Sequence, residues 1–255
     1  MFVMKILVVG LGGFMGHEVA KLALAGFKGC ELAGGIDPNG CPDIDTVCVA
    51  DFNAAANEAA LADVDCVVDF SHHSNTFALL DFVKAKNLPL VLATTGQTDE
   101  ERAAIAEAAK QIPLFFASNY SMGVALLVEL AKKTAIAFPE ADIEIVETHH
   151  NRKVDAPSGT ALTLANEIAS VRKDAQITSG RTGMGKREPG EIGVQAVRRG
   201  NIVGIHEVLV STQNQTITLK HEAHSRALFA EGALSAAAWL SGKPAGLYDM
   251  KALVE

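Results

Sequence analysis

The feature that most constrains the fold is a junction near the start of the chain. A strand-like run, Lys5–Val9, empties into GLGGFMG, Gly10 to Gly16, and a helical pattern, Phe14–Ala25, begins inside it. A strict G-x-G-x-x-G spacing would need glycine at position 15, which is Met15; glycines 10, 13 and 16 follow G-x-x-G-x-x-G instead. The physical requirement is the same for both spacings. A tight turn leaves a strand, the backbone comes close to a pyrophosphate, and a helix N-terminus points at it. A second strand-like run, Cys30–Ile36, ends at Asp37, 21 residues after Gly16, where a carboxylate can accept hydrogen bonds from a ribose diol. A glycine-rich turn can serve any strand–helix unit. With a strand before it, a helix after it and an acid at this distance, dinucleotide binding is the better reading.

The pattern continues by alternation. Val64–Phe70, Pro89–Ala93 and Pro113–Ala117 read as strands, with Asn75–Lys86 and Thr98–Gln111 as helices. Apolar strands separated by helices predict a parallel sheet covered on both faces. After Gly123 the rhythm changes. Val124–Ala137 and Thr160–Val171 read as helices and Asp142–Thr148 as an alternating strand, while Gln176–Glu191 has no periodicity and reads as a long loop. Three strand-like runs, Ile192–Val197, His206–Ser211 and Thr216–His221, then follow without helices between them, predicting a mixed or antiparallel sheet; a helix, Ala227–Leu240, follows. The fold class is therefore α/β, Rossmann-like, with an α+β part carrying a mixed sheet.

Charge narrows the partners. The net charge is -8, so counterion release gives no affinity for nucleic acid, and an anionic ligand must meet a local basic cluster. No apolar run approaches the roughly 20 residues of a membrane span, and MFVMKILVVG runs into glycines rather than a cleavage site. Cys30, Cys41, Cys48 and Cys66 show no C-x-x-C pair, so free thiols in a reducing cytoplasm are expected.

Two polar stretches sit at the carboxyl ends of strands, where open α/β sheets bind ligands. One is ATTGQTDEE, with Ala93, Thr94 and Thr95; the other is ASNYSMG, with Ser118, Asn119, Tyr120 and Ser121. Together with the glycine loop and Asp37 they outline a cofactor cleft. GRTGMGKR, Gly180 to Arg187, has the spacing of a nucleotide P-loop, but Arg187 stands where a magnesium-holding hydroxyl belongs and REPGE cannot open a helix.

The chemistry concentrates in ETHHNRKVDAPSGTAL, Glu147 to Leu162. His149 and His150 point to opposite sides if the strand runs through them. One imidazole can donate a proton while the other binds substrate. Lys153 supplies positive charge, and Ser158, Gly159 and Thr160 stand at a helix N-terminus whose N–H groups suit a carboxylate. Each residue alone has a plainer reading, as a structural histidine, a solvated lysine or a helix cap. A metal site built from His149, His150, His221 and His224 is disfavoured because adjacent histidines splay apart and Lys153 repels a cation.

This string resembles the signature E-x-H-H-x-x-K-x-D-x-P-S-G-T-A of the dihydrodipicolinate reductase family, complete from Glu147 to Ala161. The resemblance extends over GLGGFMG, VVDFSHH, ATTGQTDEE, SNYSMGV, RTGMGKREPGEIGVQAVRRGNIVGIHEV, HEAHSRALFAEGAL and GLYDM, essentially the whole chain. It implies a Rossmann-like domain over residues 1–120, completed by 227–255, and a substrate and oligomerisation domain with an open mixed sheet over 121–226. The implied activity is NAD(P)H-dependent reduction of a small cyclic dicarboxylate, 4-hydroxy-tetrahydrodipicolinate, in lysine and diaminopimelate biosynthesis by a cytoplasmic homotetramer. Carried over by position, His149 and Lys153 are the proton donors. His150, Lys153, Ser158, Gly159, Thr160 and Arg226 bind the dicarboxylate. Gly10, Leu11, Gly12, Gly13, Phe14, Met15, Asp37, Ala93–Thr95 and Ser118–Ser121 line the cofactor, and no metal is implied. Members that favour NADPH often carry a basic residue just after the acid at position 37; here Pro38 and Asn39 follow, so both NADH and NADPH stay open. DFSHH lacks the turn proline expected after the strand, and Tyr120 replaces a common phenylalanine. A related amino-acid dehydrogenase would not need the paired histidines, lysine and SGT. A non-catalytic nucleotide sensor would be expected to have lost His149 or Lys153.

Overall fold

A computed structural model describes residues 3–41 and 43–254. Met1, Phe2, Pro42 and Glu255 lie outside the described residues, and with them the first two residues of MFVMKILVVG and the last of the Pro38–Pro42 loop. In chain order the elements are β1 (Met4–Val9), α1 (Phe14–Leu24), β2 (Cys30–Ile36), β3 (Cys48–Val49), α2 (Phe52–Asn57), β4 (Cys66–Asp69) and α3 (Thr76–Lys86). Next come β5 (Leu90–Leu92), α4 (Asp99–Ala108), β6 (Pro113–Phe116), α5 (Met122–Ala137), β7 (Asp142–His149) and α6 (Gly159–Ala169). The last are β8 (Gln176–Ser179), β9 (Glu191–Arg198), β10 (Gly204–Ser211), β11 (Thr216–Ala223), α7 (Ala227–Leu240) and β12 (Gly246–Tyr248). They form two compact units, Met1–Ser121 with Ala227–Glu255, and Met122–Arg226.

The first unit is a seven-stranded sheet in the order β12-β6-β5-β4-β1-β2-β3, with every pairing parallel. Its central strands read as continuous apolar runs because helices cover both faces. In β4 and β5 every residue is buried. Strand order reverses between β1 and β4, so a crevice opens at their carboxyl ends, where the glycine junction lies. Helix α7 packs against α1, and β12 extends the sheet beyond β6. Local chemistry agrees with the packing. Thr98 and Glu101 form a reciprocal capping box at the start of α4, and Asn87 ends α3 in the left-handed conformation.

The second unit is a five-stranded mixed sheet, β11-β10-β7-β9-β8. β10 runs antiparallel to both neighbours, whereas β7–β9 and β8–β9 are parallel. Leu127 and Ala131 of α5 and Leu164 and Ile168 of α6 pack with Ile143, Ile145, Ile192 and Val208 of the sheet in one apolar cluster. The α/β class, with a parallel Rossmann-like sheet and a second mixed sheet, is the one the patterning predicts.

Three features depart from expectation. The segment Gln176–Glu191 is not all loop. Its first four residues form β8, an edge strand exposed at every position, so no apolar alternation announces it. β3, α2 and β12 also escape sequence reading because they are two, six and three residues long, shorter than a period test can resolve. The expectation of free thiols fails for two of the four cysteines: Cys41 and Cys48 form a disulfide, while Cys30 and Cys66 stay free and buried. The pairing of Gly35 with Cys48 folds the loop after β2 back on itself and brings the two Cα atoms to 6.0 Å, within disulfide reach. Among the described residues no helix is long and apolar enough to cross a membrane.

The glycine junction is a steric necessity. Gly10 has φ +79°, and a Cβ on Gly16 would overlap the carbonyl oxygen of Gly10. Gly16→Ala should therefore lower stability by about 1–3 kcal/mol, the usual cost of overpacking, read as a drop in the thermal midpoint, and should weaken nucleotide binding in a titration.

Candidate active site

The first unit holds a cleft built from strand ends. Gly10 N–H donates to the Ile36 carbonyl at 2.8 Å, and Gly13 N–H to the Gly10 carbonyl at 3.1 Å, closing the turn that delivers the chain to α1. Gly13 is the N-cap and has no side chain to cap the first turn, and no acid stands in that turn. The helix start is therefore suited to an anion. Asp37 is buried at the end of β2. Its Oδ2 accepts from Gly12 N–H at 3.0 Å and its Oδ1 from Asn39 N–H at 2.9 Å. A Cβ on Gly12 would stand 3.0 Å from that Oδ2 and 2.8 Å from the Gly40 carbonyl, so only glycine leaves the space between loop and acid open. These features fit a dinucleotide.

A cleft of about 300 Å³ is lined by Met15, Ala93, Thr94 and Thr95, and also by Phe70, Ser71 and His72. The last three were not among the expected cofactor residues. The signal was available, since DFSHH is another polar turn at the carboxyl end of a strand. Beneath the cleft, buried Asp69 accepts from Ser71 Oγ at 2.6 Å and from Thr94 Oγ1 at 2.5 Å, so one carboxylate ties two lining turns together. Burial pushes its pKa up, against the lowering effect of those hydrogen bonds.

Other expected cofactor residues differ in what they expose. Leu11 is fully buried, and its side chain lies against Gly35. Tyr120 is buried, with its hydroxyl 3.0 Å from the Leu92 carbonyl and 3.1 Å from that of Phe115. The side chains of both belong to the core, and only their backbone is available to a ligand. Phe14 and Ser118 are exposed, and Asn119 Oδ1 accepts from Ser121 N–H at 2.8 Å.

The second unit carries an acid–base cluster at the end of its apolar layer. Glu147 and His149, two residues apart on β7, face the same side of the sheet. His149 Nδ1 is 2.5 Å from Glu147 Oε2. The Arg198 guanidinium, from β9, grips the same carboxylate with two hydrogen bonds, 2.8 Å to Oε2 and 2.7 Å to Oε1. Ser158 N–H donates to Oε1 at 2.9 Å. Glu147 is 0% exposed. Burial raises its pKa, but the hydrogen bonds from Arg198, His149 and Ser158 outweigh that and hold it below the ordinary glutamate value. From β10, the His206 ring stands edge-on to His149 at 5.2 Å between centroids, and its Nε2 lies 3.2 Å from Ser158 Oγ. Burial, then the charge of His149, pushes His206 down to about 4.

Ser158 is thus committed. Its N–H goes to Glu147, and its Oγ meets His206 and caps α6 by accepting from Ala161 N–H at 3.3 Å. These contacts brace the acid–base pair from the N-cap of α6, next to Gly159 and Thr160. Gly159, at the first position of α6, is exposed, and a Cβ there would meet nothing within 4 Å; Thr160 follows it. His150 lies just beyond β7, and its N–H donates to the Ile202 carbonyl at 2.8 Å. Burial, then the charges of Arg152, Arg226, His149 and Lys153, hold its pKa below the ordinary histidine value. Lys153 Nζ pairs with Asp155 Oδ1 at 2.8 Å. Exposed Arg226 ends the unit. Glu147, Arg198 and His206 were absent from the expected site. Glu147 is legible from the E-x-H spacing on a strand, whereas the other two depend on the pairing of His149 with Arg198 and of Glu147 with His206.

A glycine junction, a buried acid at the next strand end and polar turns along one sheet edge define an NAD(P)-dependent oxidoreductase of Rossmann type. The comparisons narrow the class. The family model for dihydrodipicolinate reductase, N-terminus, matches residues 4–120, and that for its C-terminus matches residues 123–254. A 4-hydroxy-tetrahydrodipicolinate reductase of Clostridium novyi (strain NT) is 40% identical over 258 residues, covering 98% of each chain. One of Caldanaerobacter subterraneus subsp. tengcongensis is 41% identical over 253 residues, again 98% of each. Among solved structures, a dipicolinate-bound dihydrodipicolinate reductase from Paenisporosarcina sp. TG-14 shares the fold with a TM-score of 0.80, at 24% identity, covering 97% of this chain and 98% of that one. The chain belongs to the dihydrodipicolinate reductase family.

The low pKa of His206 has a stability consequence. The unfolded chain binds a proton near 6.5 and the folded one only near 4, so stability is present above about 6.5 and is lost as pH falls toward about 4. Between pH 7 and about 4.5 the wild type should lose about 2–3 kcal/mol that His206→Asn does not lose, measured by urea unfolding at the two pH values.

Proposed function

We propose that the chain reduces 4-hydroxy-tetrahydrodipicolinate to tetrahydrodipicolinate with NADH or NADPH, in lysine and diaminopimelate biosynthesis. The observation that carries this reading is the cluster in Glu147–Leu162. There a buried imidazole on a carboxylate, an ammonium and an open helix N-terminus share one unit. The dinucleotide is held by the Gly10–Met15 loop, Asp37, Ala93–Thr95 and the Ser118–Ser121 turn. When bound, its nicotinamide supplies a hydride for C4 of the dehydrated, conjugated cyclic imine dicarboxylate. His149 gives a proton to the adjacent carbon, and Lys153 serves as the second proton donor. His150, Lys153, Arg226 and the N–H groups of Gly159 and Thr160 hold the carboxylates. The net charge of -8 repels a dianion at long range, so short charge-assisted hydrogen bonds must retain it. A homotetramer in the cytoplasm completes the reading.

His149→Gln should lower kcat by roughly 10²-fold or more while leaving NADH affinity nearly unchanged. Lys153→Ala should raise the substrate KM and also lower kcat, because it removes both a charge and a proton donor. Steady-state assays with freshly made substrate check both; full turnover by His149→Gln at neutral pH overturns this assignment.

Cofactor choice follows from Asp37. A carboxylate there accepts from a 2′-hydroxyl and repels a 2′-phosphate, and no Arg or Lys follows within Pro38–Cys41. NADH should be used at least as well as NADPH. The ratio of the two kcat/KM values checks this, and a strong preference for NADPH counts against it.

A further inference from the structure

We infer that Glu147, clamped by Arg198, is a positioning residue for His149: it holds the imidazole with Nδ1–H on the carboxylate, so that Nε2 is the atom that carries the transferred proton. The inference rests on the reading of His149 as the proton donor, and its support is geometric. The Glu147 carboxylate is fully buried and meets four donors or donor-capable atoms. These are Arg198 at 2.8 and 2.7 Å, Ser158 N–H at 2.9 Å and His149 Nδ1 at 2.5 Å. They come from β7, β9 and the N-cap of α6, so the carboxylate cannot turn without breaking a bond to another element. A carboxylate so placed accepts and cannot donate; the hydrogen between it and Nδ1 belongs to the ring.

The opposite edge of the ring faces a glycine. Gly204 of β10 stands opposite His149, and a Cβ there would lie 3.1 Å from Nε2. Any other residue would crowd the proton-bearing atom. The neighbouring ring, His206, lies edge-on and remains neutral at neutral pH, so it does not oppose a positive charge on His149. The step then balances simply. The Nε2–H bond breaks, its electron pair stays on Nε2, and the new C–H bond takes the electron pair that the substrate ring gained beside C4. His149 is left as the neutral Nδ1–H tautomer, which Glu147 already favours. Without Glu147 the ring could present either nitrogen.

The test combines ¹⁵N NMR of histidine-labelled full-length enzyme with steady-state kinetics. In the wild type the His149 signals should report a fixed Nδ1–H with a strongly downfield proton, the mark of a short charge-assisted bond. Glu147→Gln should lose that proton and show mixed tautomers. Its kcat should fall by about 10²-fold, within the span of general acid catalysis, while substrate KM and NADH Kd stay within about twofold of wild type. An unchanged tautomer or an unchanged kcat in Glu147→Gln overturns the inference. If that variant does not fold, Glu147→Asp keeps the charge beside Arg198 but withdraws it from Nδ1, and the same two readouts apply. His149→Gln separates the two readings. Loss of turnover there with no effect at Glu147 sinks the positioning role alone, whereas full turnover of His149→Gln sinks the proton-donor reading on which it rests. The double variant should be no slower than His149→Gln; a further full loss would show Glu147 acting independently of the ring, against the inference.

Discussion

The site of the second unit depends on one buried carboxylate. Glu147 sits at the end of an apolar layer, where an unpaired charge is untenable; removing one partner of a buried ion pair typically costs about 3–5 kcal/mol. The charge is tolerated because Arg198 supplies a planar two-point contact and Ser158 a backbone N–H. Those contacts do more than neutralise it. Arg198 joins β9 to β7, and Arg198 also donates to the Asp155 carbonyl at 2.6 Å, which steadies the turn before α6. Ser158 sets where α6 begins, so the exposed amide of Gly159 is placed by the same carboxylate that holds His149. The imidazole and the start of α6 are thereby positioned together.

The first unit reaches a comparable end with backbone rather than side chains. Its glycine loop, the uncapped start of α1 and the turns at β4 and β5 present N–H groups and hydroxyls to the cleft. Asp37 and Asp69 act as braces, each tying two segments together. This explains how a chain of net charge -8 is equipped for anionic ligands. Local dipoles in the first unit, and the group His150, Arg152, Lys153 and Arg226 in the second, act at short range, where the global charge has little weight.

Much of this was legible in the sequence because it follows from local rules. Continuous apolar runs marked the parallel strands, and the helical pattern over Thr98–Gln111 marked α4. Glu147 was within reach of the same rules, since residues two apart on a strand share a face. The elements missed were those too short or too exposed to carry a period: β3, β12, α2 and the edge strand β8. The Cys41–Cys48 bridge was missed for a related reason. The two cysteines stand 7 positions apart in sequence, and only the pairing of β3 with β2 makes them neighbours.

By itself the sequence determined a parallel nucleotide-binding sheet, a glycine-rich junction between its first strand and helix, and a signature that concentrates imidazole, ammonium and helix start in sixteen residues. These are consequences of side-chain periodicity and backbone sterics, which act over a few residues. Only the tertiary structure decided that Ser158 braces the cluster, that Tyr120 and Leu11 point into the core, and that Arg198 and His206 complete the surroundings of His149. Arg198 lies 51 residues from Glu147, and His206 lies 48 from Ser158. Their meeting is set by the register between β7, β9 and β10, and register is a property of long-range strand pairing that no local pattern in the chain encodes.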